Sequence, residues 1–434
     1  MARLEHRGWV PADSEALVGR ISDWVAGADA DAVDERLHRL VARNASIHDE
    51  QCLNLNPAAN VMNPRAEALL ASGLGSRPSL GYPGDKYEMG LEAIEQIEVI
   101  AAELAAEVFD ASFAEVRVGS GAMANLYAFM ATCLPGDPII VPPATIGGHV
   151  THNTAGAAGL YGLDIHEAPI DAERYTVDVE GVGALAREVR PQLITIGSSL
   201  NLTHHPVREL RDVADDVGAS LLFDAAHLSG LIAGGAWPNP LLEGAQVMTM
   251  SAYKSLAGPP SGVLVTSSAA IAERVDAIAF PGLTANFDVA DTAALVVTLL
   301  DWQTHGREHA RTMVETARDL AGELVERDVA VWTTPSGPTA SHAFAVDAGA
   351  DGGHATAQRL RRANLLTSAI GLPHDAGAGV RIGTNEAVRR GVGVDDMPEL
   401  ADLLARALVA DDPGSVADEV TAFRRRFTGV HFVR

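Results

Sequence analysis

The sequence predicts an α/β protein built around a mostly parallel β-sheet. Between about residues 90 and 300, nearly continuous apolar segments of strand length alternate with segments of helical periodicity. Strands that are apolar on both faces and separated by helices are typical of parallel sheets covered by helices on both sides. At 434 residues, the chain is about three times the usual domain length of roughly 150 residues. We therefore expect a large α/β core together with additional structure.

Three regions are expected along the chain. Residues 1–55 form an N-terminal helical arm, because apolar residues recur at helical spacing through 14–40. Residues 56–300 form the large α/β domain, and residues 301–434 form a smaller α+β domain that starts with a helix near 304–327. The expected strands are EVRVGS (115–120), PIIVPP (138–143), QLITIGS (192–198), SLLFDAA (220–226), QVMTMSAY (246–253), GVLVTSS (262–268), AVWTT (330–334), HAFAVDA (342–348) and GVRIGT (379–384).

Composition argues against several classes of partner. The chain carries 57 acidic and 32 basic residues, a formal net charge of −25. Nucleic acid and anionic membrane surfaces are bound through concentrated basic faces, which this sequence lacks, so we expect neither partner. Cys52 and Cys133 are too few for a disulfide framework. No apolar stretch approaches the roughly 18 residues of a membrane-spanning helix, and the first residues lack a secretory apolar core, so we expect a cytoplasmic protein.

The strongest chemical signal is Lys254 in MTMSAYKSLAGPPSG (248–262). It follows an apolar strand and precedes a loop rich in small residues, glycine and proline, at the sheet edge where parallel sheets bind their ligands. An amine in this position can form a Schiff base with an aldehyde cofactor, and burial lowers its pKa toward that task. The alternative is a lysine that merely extends into solvent from the end of a strand.

A second residue strengthens the cofactor interpretation. In LLFDAAHLSGL (221–231), Asp224 ends an apolar strand and His227 follows it closely. A carboxylate in such a place is costly unless it is paired. Pyridoxal phosphate provides a partner, because an aspartate keeps its pyridine nitrogen protonated. Asp224 could instead cap the next helix, and His227 either shields the cofactor and the aspartate or is a core histidine.

The loop GSGA (119–122) lies between an expected strand and an expected helix. Amide groups at the start of a helix hold phosphate, here with help from Ser120. The loop lacks the third glycine of a dinucleotide fingerprint. The loop supports a phosphate site through its position in the chain. It precedes the strand that ends at Asp224 and the strand before Lys254, which is the order that a pyridoxal-phosphate enzyme requires.

Histidines and one arginine are further candidates for ligand contacts. The histidine pair in GGHVTH (147–152) and the pair at 204–205 lack carboxylate or cysteine partners at metal-ligand spacing, so we expect no metal site. An imidazole stacked on a cofactor ring is the better use for His149. Arg381 in GVRIGT interrupts an apolar strand. A buried guanidinium requires an anion, which is either a substrate carboxylate or an internal acidic partner.

These motifs, in this order, resemble the fold-type-I pyridoxal-phosphate enzymes and, more narrowly, the serine hydroxymethyltransferase family. The resemblance implies an aspartate-aminotransferase-like fold with a large domain and a smaller C-terminal domain. It also implies a homodimer or homotetramer whose active sites are completed across the subunit interface. The matching segments lie between about residues 54 and 425 and include GYPGDKY (81–87), SGAMAN (120–125), LPGD (134–137), GGHVTH (147–152), DAAHLSGL (224–231), YKSLAGP (253–259), FPG (280–282) and VRIGTNEAVRRG (380–391).

The resemblance implies roles for individual residues. Lys254 would form the Schiff base with pyridoxal phosphate, and Asp224 would bind the pyridine nitrogen. Arg381 would bind the carboxylate of a small amino-acid substrate. The remaining cofactor contacts would come from Ser120, Gly121 and Ala122 at the phosphate, Ser199 near the cofactor hydroxyl and His149 on the ring.

The substrate side departs from the family pattern. The family has a tyrosine and a glutamate before GYPG, and the glutamate handles a proton in folate-dependent transfer; Pro78 and Leu80 occupy these positions here. The tyrosine pair after GYPG becomes Tyr87, a candidate substrate contact, and Glu88, a candidate base. Further replacements are Ala58 and Ala59 in the family's Ser-Glu-Asn loop, Tyr253 before the lysine, GPPSG (258–262) after it and LTANF (283–287) after FPG.

Retained cofactor residues and altered substrate residues predict the family's bond chemistry on a different substrate. We expect cleavage or transfer at the Cα–Cβ bond of a β-hydroxy-α-amino acid similar to serine, threonine or α-methylserine, by an aldolase or transaldolase that releases or captures an aldehyde without folate. Glu88, His149 and His152 are candidates for the base. The alternatives are a folate-dependent serine hydroxymethyltransferase, another reaction of the fold type such as transamination, β-elimination or decarboxylation, and a non-catalytic scaffold.

Overall fold

The structure is a computed structural model that describes residues 4–373 and 377–434. The chain divides into two compact units, Met1–Cys52 and Leu53–Arg434. None of the helices in the described residues is both long enough and apolar enough to cross a membrane.

The first unit consists of α1 (Ala12–Gly27) and α2 (Ala30–Ala45), followed by a π-helical turn over Ser46–Gln51. The sequence predicts one helical stretch over 14–40, but the backbone becomes extended at Ala28. Asp29 then starts α2, because its side chain accepts a hydrogen bond from the Ala32 amide at 2.8 Å. A helix-capping aspartate thus separates two helices that share similar apolar spacing.

Helices and strands alternate through most of the second unit. Its helices are α3 (Pro64–Leu70), α4 (Ile94–Val108), α5 (Gly121–Thr132), α6 (Ala157–Tyr161), α7 (Val179–Val189), α8 (Val207–Val217), α9 (Ser229–Ala233), α10 (Ala269–Ala277), α11 (Val289–Val325), α12 (Gly353–Arg362), α13 (Asn385–Arg390), α14 (Met397–Val409) and α15 (Ala417–Arg424). Its strands are β1 (Leu53–Asn54), β2 (Gly81–Tyr82), β3 (Asp85–Lys86), β4 (Phe113–Val118), β5 (Pro138–Val141), β6 (Asp164–Glu167), β7 (Ile170–Asp171), β8 (Thr176–Val177), β9 (Leu193–Ile196), β10 (Ser220–Asp224), β11 (Val247–Ser251), β12 (Gly262–Thr266), β13 (Ala343–Asp347), β14 (Leu365–Leu366), β15 (Ser368–Gly371) and β16 (Ala378–Gly383).

Within the described residues, the central sheet has seven strands in the order β4-β12-β11-β10-β9-β5-β6. Neighbouring strands from β11 to β6 are parallel, whereas β12 runs antiparallel to both β11 and β4. The prediction of a mostly parallel sheet is confirmed. The six strands predicted for the large domain all occur, each within two residues of the predicted ends. The edge strand β6 was missed because its sequence, DIHE, alternates apolar with polar residues.

The central strands are buried on both faces, which explains their continuous apolar sequences. Successive side chains of a strand point to opposite faces. Leu222 belongs to the core cluster that contains Tyr127 and Phe129 of α5, whereas Leu221 and Phe223 belong to the cluster on the other face. Because helices cover both faces, the carboxyl ends of the strands are the natural place for a ligand.

A smaller sheet lies in the C-terminal part of the chain. Among the described residues its order is β13-β16-β15, and both pairs are antiparallel. The segment 330–334, predicted as a strand, forms only isolated bridges. The long helix α11 begins at Val289 rather than near residue 304, because Asp288 caps it. Residue 300, the expected domain boundary, therefore lies within one continuous helix.

Residues 53–55 form backbone hydrogen bonds with C-terminal strands, and β1 and β14 make a separate two-stranded sheet. Strand β1 pairs in parallel with β14. The Leu55 amide donates to the carbonyl of Leu366, and the Leu55 carbonyl accepts the Gly383 amide, both at 2.8 Å. The further division of residues 53–434 into a large and a small domain stays a prediction.

Candidate active site

Three segments predicted to hold a cofactor meet at the carboxyl ends of the central strands. Strand β10 ends at Asp224, β11 ends at Ser251 shortly before Lys254, and α5 begins at Gly121 shortly after β4. A Cβ atom at Gly121 would lie 2.1 Å from the Ser251 hydroxyl oxygen, so glycine lets the helix start approach β11 this closely. The backbone thereby places the expected phosphate loop next to the lysine strand.

Asp224 is buried and held as a carboxylate by several donors. Its Oδ2 accepts hydrogen bonds from His152 Nε2 and Asn125 Nδ2, each at 2.9 Å, and its Oδ1 accepts the Ala226 amide at 2.9 Å. Burial by itself raises the pKa of this carboxyl, but the hydrogen bonds, of which the one from His152 has the largest effect, outweigh burial, and its pKa lies below the usual range. The end of β10 thus presents an ionised acid.

Lys254 is almost completely buried, with 6% of its surface exposed. Its Nζ lies 3.2 Å from His227 Nε2. Burial, opposed by the charge of Asp224, lowers the pKa of the ammonium to about 8. An amine with this pKa is partly unprotonated near neutral pH and can attack an aldehyde carbon. The alternative of a lysine extending into solvent is wrong.

The scarcity of lysine identifies the reactive amine more sharply than the surrounding motif. The sequence contains two lysines, Lys86 and Lys254. Lys86 Nζ lies 2.7 Å from both carboxylate oxygens of Glu98 and 3.0 Å from the Gly81 carbonyl oxygen. Because that ammonium is engaged in a buried ion pair, Lys254 is the lysine available for covalent chemistry.

Arg381 is a buried cation surrounded by neutral acceptors, with 6% of its surface exposed. Its Nη1 donates to the Ser199 carbonyl at 2.5 Å, and its Nε and Nη2 donate to Ser368 Oγ at 3.2 and 3.0 Å. No acidic residue within 4–373 and 377–434 forms an ion pair with it. Burial lowers the pKa of the guanidinium to about 10, so it stays charged at neutral pH. Such a group is suited to bind an anionic ligand.

His227 lies between the lysine and the arginine. Its Nε2 faces Lys254 Nζ at 3.2 Å and Arg381 Nη1 at 3.4 Å. Burial, aided by these two cations, lowers the pKa of His227 well below its usual value. Since the guanidinium can only donate, His227 Nε2 accepts and the ring proton belongs on Nδ1, a buried atom for which the described residues provide no partner.

His149 and Ser199 lie around this cluster. His149 is half-buried, and its Nδ1 lies 2.9 Å from Thr151 Oγ1. Burial lowers the pKa of His149, with Lys254 among the nearby charges that lower it further. Ser199 contributes through its backbone, because its carbonyl accepts Arg381 and its amide donates to the Gly147 carbonyl at 2.7 Å.

The start of α5 has the features of an anion site. Ser120 Oγ accepts the Met123 amide at 3.2 Å and thereby caps the helix. Among the residues that the structure describes, no hydrogen bond uses the amides of Gly121 and Ala122. Unused amides at a helix start, next to the partial positive charge of the helix dipole, favour phosphate.

Comparison with known proteins identifies the family. A family model described as serine hydroxymethyltransferase matches residues 30–404. The chain belongs to the serine hydroxymethyltransferase family. Relatives named α-methylserine aldolase are 58% identical over 437 residues in Variovorax paradoxus (100% of this chain, 99% of the relative) and 52% identical over 437 residues in Ralstonia sp (99% and 100%). A serine hydroxymethyltransferase of Pyrobaculum islandicum is 36% identical over 404 residues (92% and 94%).

A solved structure supports the fold. The crystal structure of L-threonine transaldolase from Pseudomonas fluorescens, in its internal aldimine state, matches with a TM-score of 0.84 at 20% identity and covers 98% of this chain and 96% of that chain. The predicted fold-type-I architecture is confirmed. The prediction of an enzyme related to the serine hydroxymethyltransferases is confirmed as well, because the family model and relatives named aldolase and serine hydroxymethyltransferase match this chain.

Tyr87 and Glu88 are not brought to the lysine within one chain. The Tyr87 side chain is exposed, with 80% of the residue accessible. Glu88 Oε2 accepts the Leu80 amide at 3.3 Å. Within the described ranges, no hydrogen bond joins either residue to the cluster of Lys254, His227 and Arg381. Their assignment as substrate contact and base stays a prediction.

Three residues make contacts in the site that the sequence does not predict. Asn125 lies one turn into α5 and connects Asp224 Oδ2 to Thr151 Oγ1, both at 2.9 Å from its Nδ2. His152, considered only as a candidate base or metal ligand, binds Asp224 instead. Asn60 Nδ2 donates to the Lys254 carbonyl at 3.0 Å. Asn125 could have been found from the SGAMAN motif, since an amide one turn after a phosphate loop faces the same ligand.

The residues present fit pyridoxal phosphate. The fit is tested by the chemistry of the groups that meet here: an amine with a lowered pKa, a carboxylate kept ionised in a buried place, and a helix start with unused amides. These groups match the aldehyde, the ring nitrogen and the phosphate of this cofactor. No cluster of three or more histidine, cysteine or acidic side chains in the described residues is arranged to hold a metal ion.

Proposed function

We propose that this protein uses pyridoxal phosphate to cleave the Cα–Cβ bond of α-methylserine, giving alanine and formaldehyde without folate. The structural observation that carries the proposal is the arrangement in which Lys254 and Arg381 approach one acceptor, His227 Nε2, at 3.2 and 3.4 Å. A lysine amine and a carboxylate-binding guanidinium that share one neighbouring atom fit the amine and the carboxylate of an α-amino acid, which are attached to the same carbon. Similarity over the whole chain to proteins named α-methylserine aldolase supports the choice of substrate.

The cofactor and the chain divide the chemistry between them. When bound, pyridoxal phosphate supplies an electron sink for the pair released when the bond at Cα breaks. Asp224, held ionised by its donors, would sit at the ring nitrogen, and the start of α5 would hold the phosphate. Arg381 would bind the carboxylate bidentately and so fix the orientation of the substituents on Cα.

The atoms balance without any further reactant. The β-hydroxyl loses its proton, the Cα–Cβ bond breaks, the hydroxymethyl carbon leaves as formaldehyde and Cα takes up a proton to give alanine. An α-methyl substrate has no hydrogen on Cα, so proton abstraction there, the first step of racemisation and transamination, is impossible. The hydroxymethyl group is therefore the group that can leave while the carboxylate stays bound to Arg381.

His149 is the candidate base that this geometry favours. A base must be unprotonated before it takes the β-hydroxyl proton, and burial keeps the pKa of His149 below its usual value. His152 Nε2 is occupied by Asp224 at 2.9 Å. Glu88 lies on the segment that follows β3 and is not joined to the lysine cluster in one chain. His149 Nδ1 lies 3.3 Å from the Thr151 amide nitrogen and 2.9 Å from Thr151 Oγ1. Nε2 accepts a proton in the tautomer whose ring hydrogen is on Nδ1 and is donated to Thr151 Oγ1.

We further propose a homodimer or higher homo-oligomer with shared sites. Tyr87 is exposed beside the β2–β3 hairpin, together with Tyr82 and Met89. Such a cluster of exposed large apolar side chains is typical of an interaction surface. A mixture of Lys254→Ala subunits and Tyr87→Ala subunits tests the sharing: hybrids that regain activity absent from both parents support it, and hybrids without activity contradict it.

The decisive experiment is product analysis with purified protein. Both enantiomers of α-methylserine, and serine as comparison, are incubated with and without tetrahydrofolate, and alanine, glycine and formaldehyde are quantified. We expect alanine and formaldehyde in equal amounts from one enantiomer, unaffected by tetrahydrofolate, and none with Lys254→Ala. Efficient serine-to-glycine conversion that requires tetrahydrofolate would instead show a hydroxymethyltransferase, the alternative that Leu80 disfavours.

A further inference from the structure

Ser368 covers one edge of the Arg381 guanidinium. Its Oγ accepts hydrogen bonds from Arg381 Nε at 3.2 Å and Nη2 at 3.0 Å. These two nitrogens form the side edge, one of the two edges through which a guanidinium can bind a carboxylate with parallel hydrogen bonds. In the antiparallel pair of β15 and β16, Ser368 is directly opposite Arg381. The sheet register therefore maintains this contact.

A hydrogen bond to Asn56 fixes the orientation of the Ser368 hydroxyl. Ser368 Oγ donates its hydrogen to Asn56 Oδ1 at 3.0 Å. Asn56 Oδ1 also accepts the Ala58 amide at 3.1 Å, and the Asn56 amide donates to Asn54 Oδ1 at 3.0 Å. A hydroxyl has one hydrogen and two lone pairs. Because the hydrogen goes to Asn56, the lone pairs face the guanidinium.

The other edge of the guanidinium faces the lysine. This end edge is formed by Nη1 and Nη2. Nη1 donates one hydrogen to the Ser199 carbonyl at 2.5 Å, and its second contact is His227 Nε2 at 3.4 Å. The distance between Nη1 and His227 Nε2 is longer than the roughly 2.7–3.2 Å usual for hydrogen bonds from N–H donors. An incoming carboxylate can therefore replace this contact. The same His227 atom lies 3.2 Å from Lys254 Nζ.

We propose that Ser368 is a positioning residue for substrate recognition: it closes the side edge of Arg381, so that a substrate carboxylate binds at the end edge with its α-amino group beside Lys254. The inference rests on the proposed function, because it requires an amino-acid substrate. Without the hydroxyl, the side edge opens to the carboxylate, and the amino group then lies away from the lysine.

The test compares two ligands that differ only in the carboxylate. 2-Aminoisobutyrate has an amine, a carboxylate and no hydroxymethyl group, so it is not cleaved, and isopropylamine is the same molecule without the carboxylate. The absorbance of the cofactor in the holoenzyme reports binding of both amines. We expect Ser368→Ala to weaken the binding of 2-aminoisobutyrate by about tenfold, as for the loss of a hydrogen bond to a charged group. The affinity for isopropylamine should stay unchanged.

Three further variants make the result specific. Ser368→Thr retains the hydroxyl and should restore the wild-type preference. Ser268→Ala removes another half-buried hydroxyl, which caps α10 at 3.4 Å from the Ile271 amide, and should leave both affinities unchanged. In an Arg381→Lys background, Ser368→Ala should have no additional effect, because the serine acts through the guanidinium.

The possible failures are distinguishable. If Ser368→Ala keeps the full preference for 2-aminoisobutyrate, or binds both ligands more weakly by the same factor, the role of Ser368 is overturned while the proposed function stands. If the wild-type protein itself shows no preference for 2-aminoisobutyrate over isopropylamine, the role of Arg381 in the proposed function fails, and the positioning role fails with it.

Discussion

His152 Nε2 lies 2.9 Å from Asp224 Oδ2, and the side chains are only 3% and 6% exposed. Since the described residues leave His152 Nδ1 without a hydrogen-bond partner, the pairing with Asp224 is the main polar contact of this imidazole. The folded-state pKa of Asp224 is lowered. The pairing therefore stabilises the fold fully above the unfolded carboxyl pKa of about 3.9 and loses this effect as the pH falls.

Removing the imidazole should destabilise the protein strongly. We expect His152→Ala to lower the free energy of unfolding at pH 7 by about 3–5 kcal/mol, because it removes a hydrogen-bond donor from a buried carboxylate and leaves a cavity. Urea unfolding followed by circular dichroism measures the change. The same variant should also release the cofactor more readily on dialysis, since the pKa of Asp224 rises when the donor is lost.

An exposed pair of the same composition provides the control. His166 Nε2 lies 3.1 Å from Asp164 Oδ2, with side chains 30% and 63% exposed. His166→Ala should change the free energy of unfolding by less than about 1 kcal/mol, as is usual for surface ion pairs. Equal losses from His152→Ala and His166→Ala would contradict the importance of burial.

Reduction with borohydride should attach the cofactor to one lysine. The chain offers Lys86 and Lys254 as lysine side chains, and Lys86 is held by Glu98 at 2.7 Å. We expect the reduced protein to lose its yellow colour and to carry one phosphopyridoxyl group, located at Lys254 by peptide mass spectrometry. Lys86→Arg should be labelled normally, whereas Lys254→Arg should remain unlabelled. A label on the Lys86 peptide of the native protein would refute the assignment.

The sequence predicted the parts of the fold and site that depend on local order. Buried strands have continuous apolar sequences, and the residues that follow a strand end lie at the same sheet edge as those of its parallel neighbours. For that reason Asp224 and Lys254 could be recognised in the sequence as site residues. The helix over 14–40 was predicted as one piece because a capping residue, Asp29, does not interrupt apolar spacing.

Contacts between distant segments could not be predicted in this way. His152 meets Asp224, and Ser368 meets Arg381, only because loops and sheet register bring them together. Ser368 gave no sequence signal, since an isolated serine in a short edge strand fits many surroundings. Tyr87 fits a family motif, but its side chain is exposed in this chain, and its role as a substrate contact stays a prediction.

Acidic pH should destabilise the fold partly through His205. This histidine is buried, with Thr176 Oγ1 at 3.0 Å from its Nδ1 and Asn201 Oδ1 at 2.7 Å from its Nε2. Burial lowers its pKa to about 4, below the unfolded value of about 6.5. Between these pH values the unfolded chain binds the proton more tightly, so stability falls as the pH is lowered.

Replacing His205 should reduce this dependence. We expect the loss of unfolding free energy between pH 6.5 and pH 4.5 to be smaller in His205→Gln than in the wild type by about 1–2 kcal/mol, measured by urea titrations at both values. His38→Gln, on an exposed face of α2, controls for exchange of an imidazole for an amide. An unchanged pH dependence in His205→Gln would show that other buried groups carry the effect.

His149 should determine the low-pH side of the activity profile. Its pKa is lowered by burial and by nearby cations, and only the unprotonated imidazole can take the β-hydroxyl proton. We expect kcat/KM for α-methylserine cleavage to decline with falling pH at values below about 6.5, the ordinary histidine pKa. His149→Asn should lower kcat by about 10²–10⁴-fold, the usual contribution of a general base, and should abolish this decline.

Because His149 also lies beside the cofactor site, the absorbance of bound cofactor in the variant must match the wild type before the loss is attributed to proton transfer. If His149→Asn retains its cofactor and cleaves at the wild-type rate, the base is another group, and Glu88→Gln becomes the variant that decides between the remaining candidates.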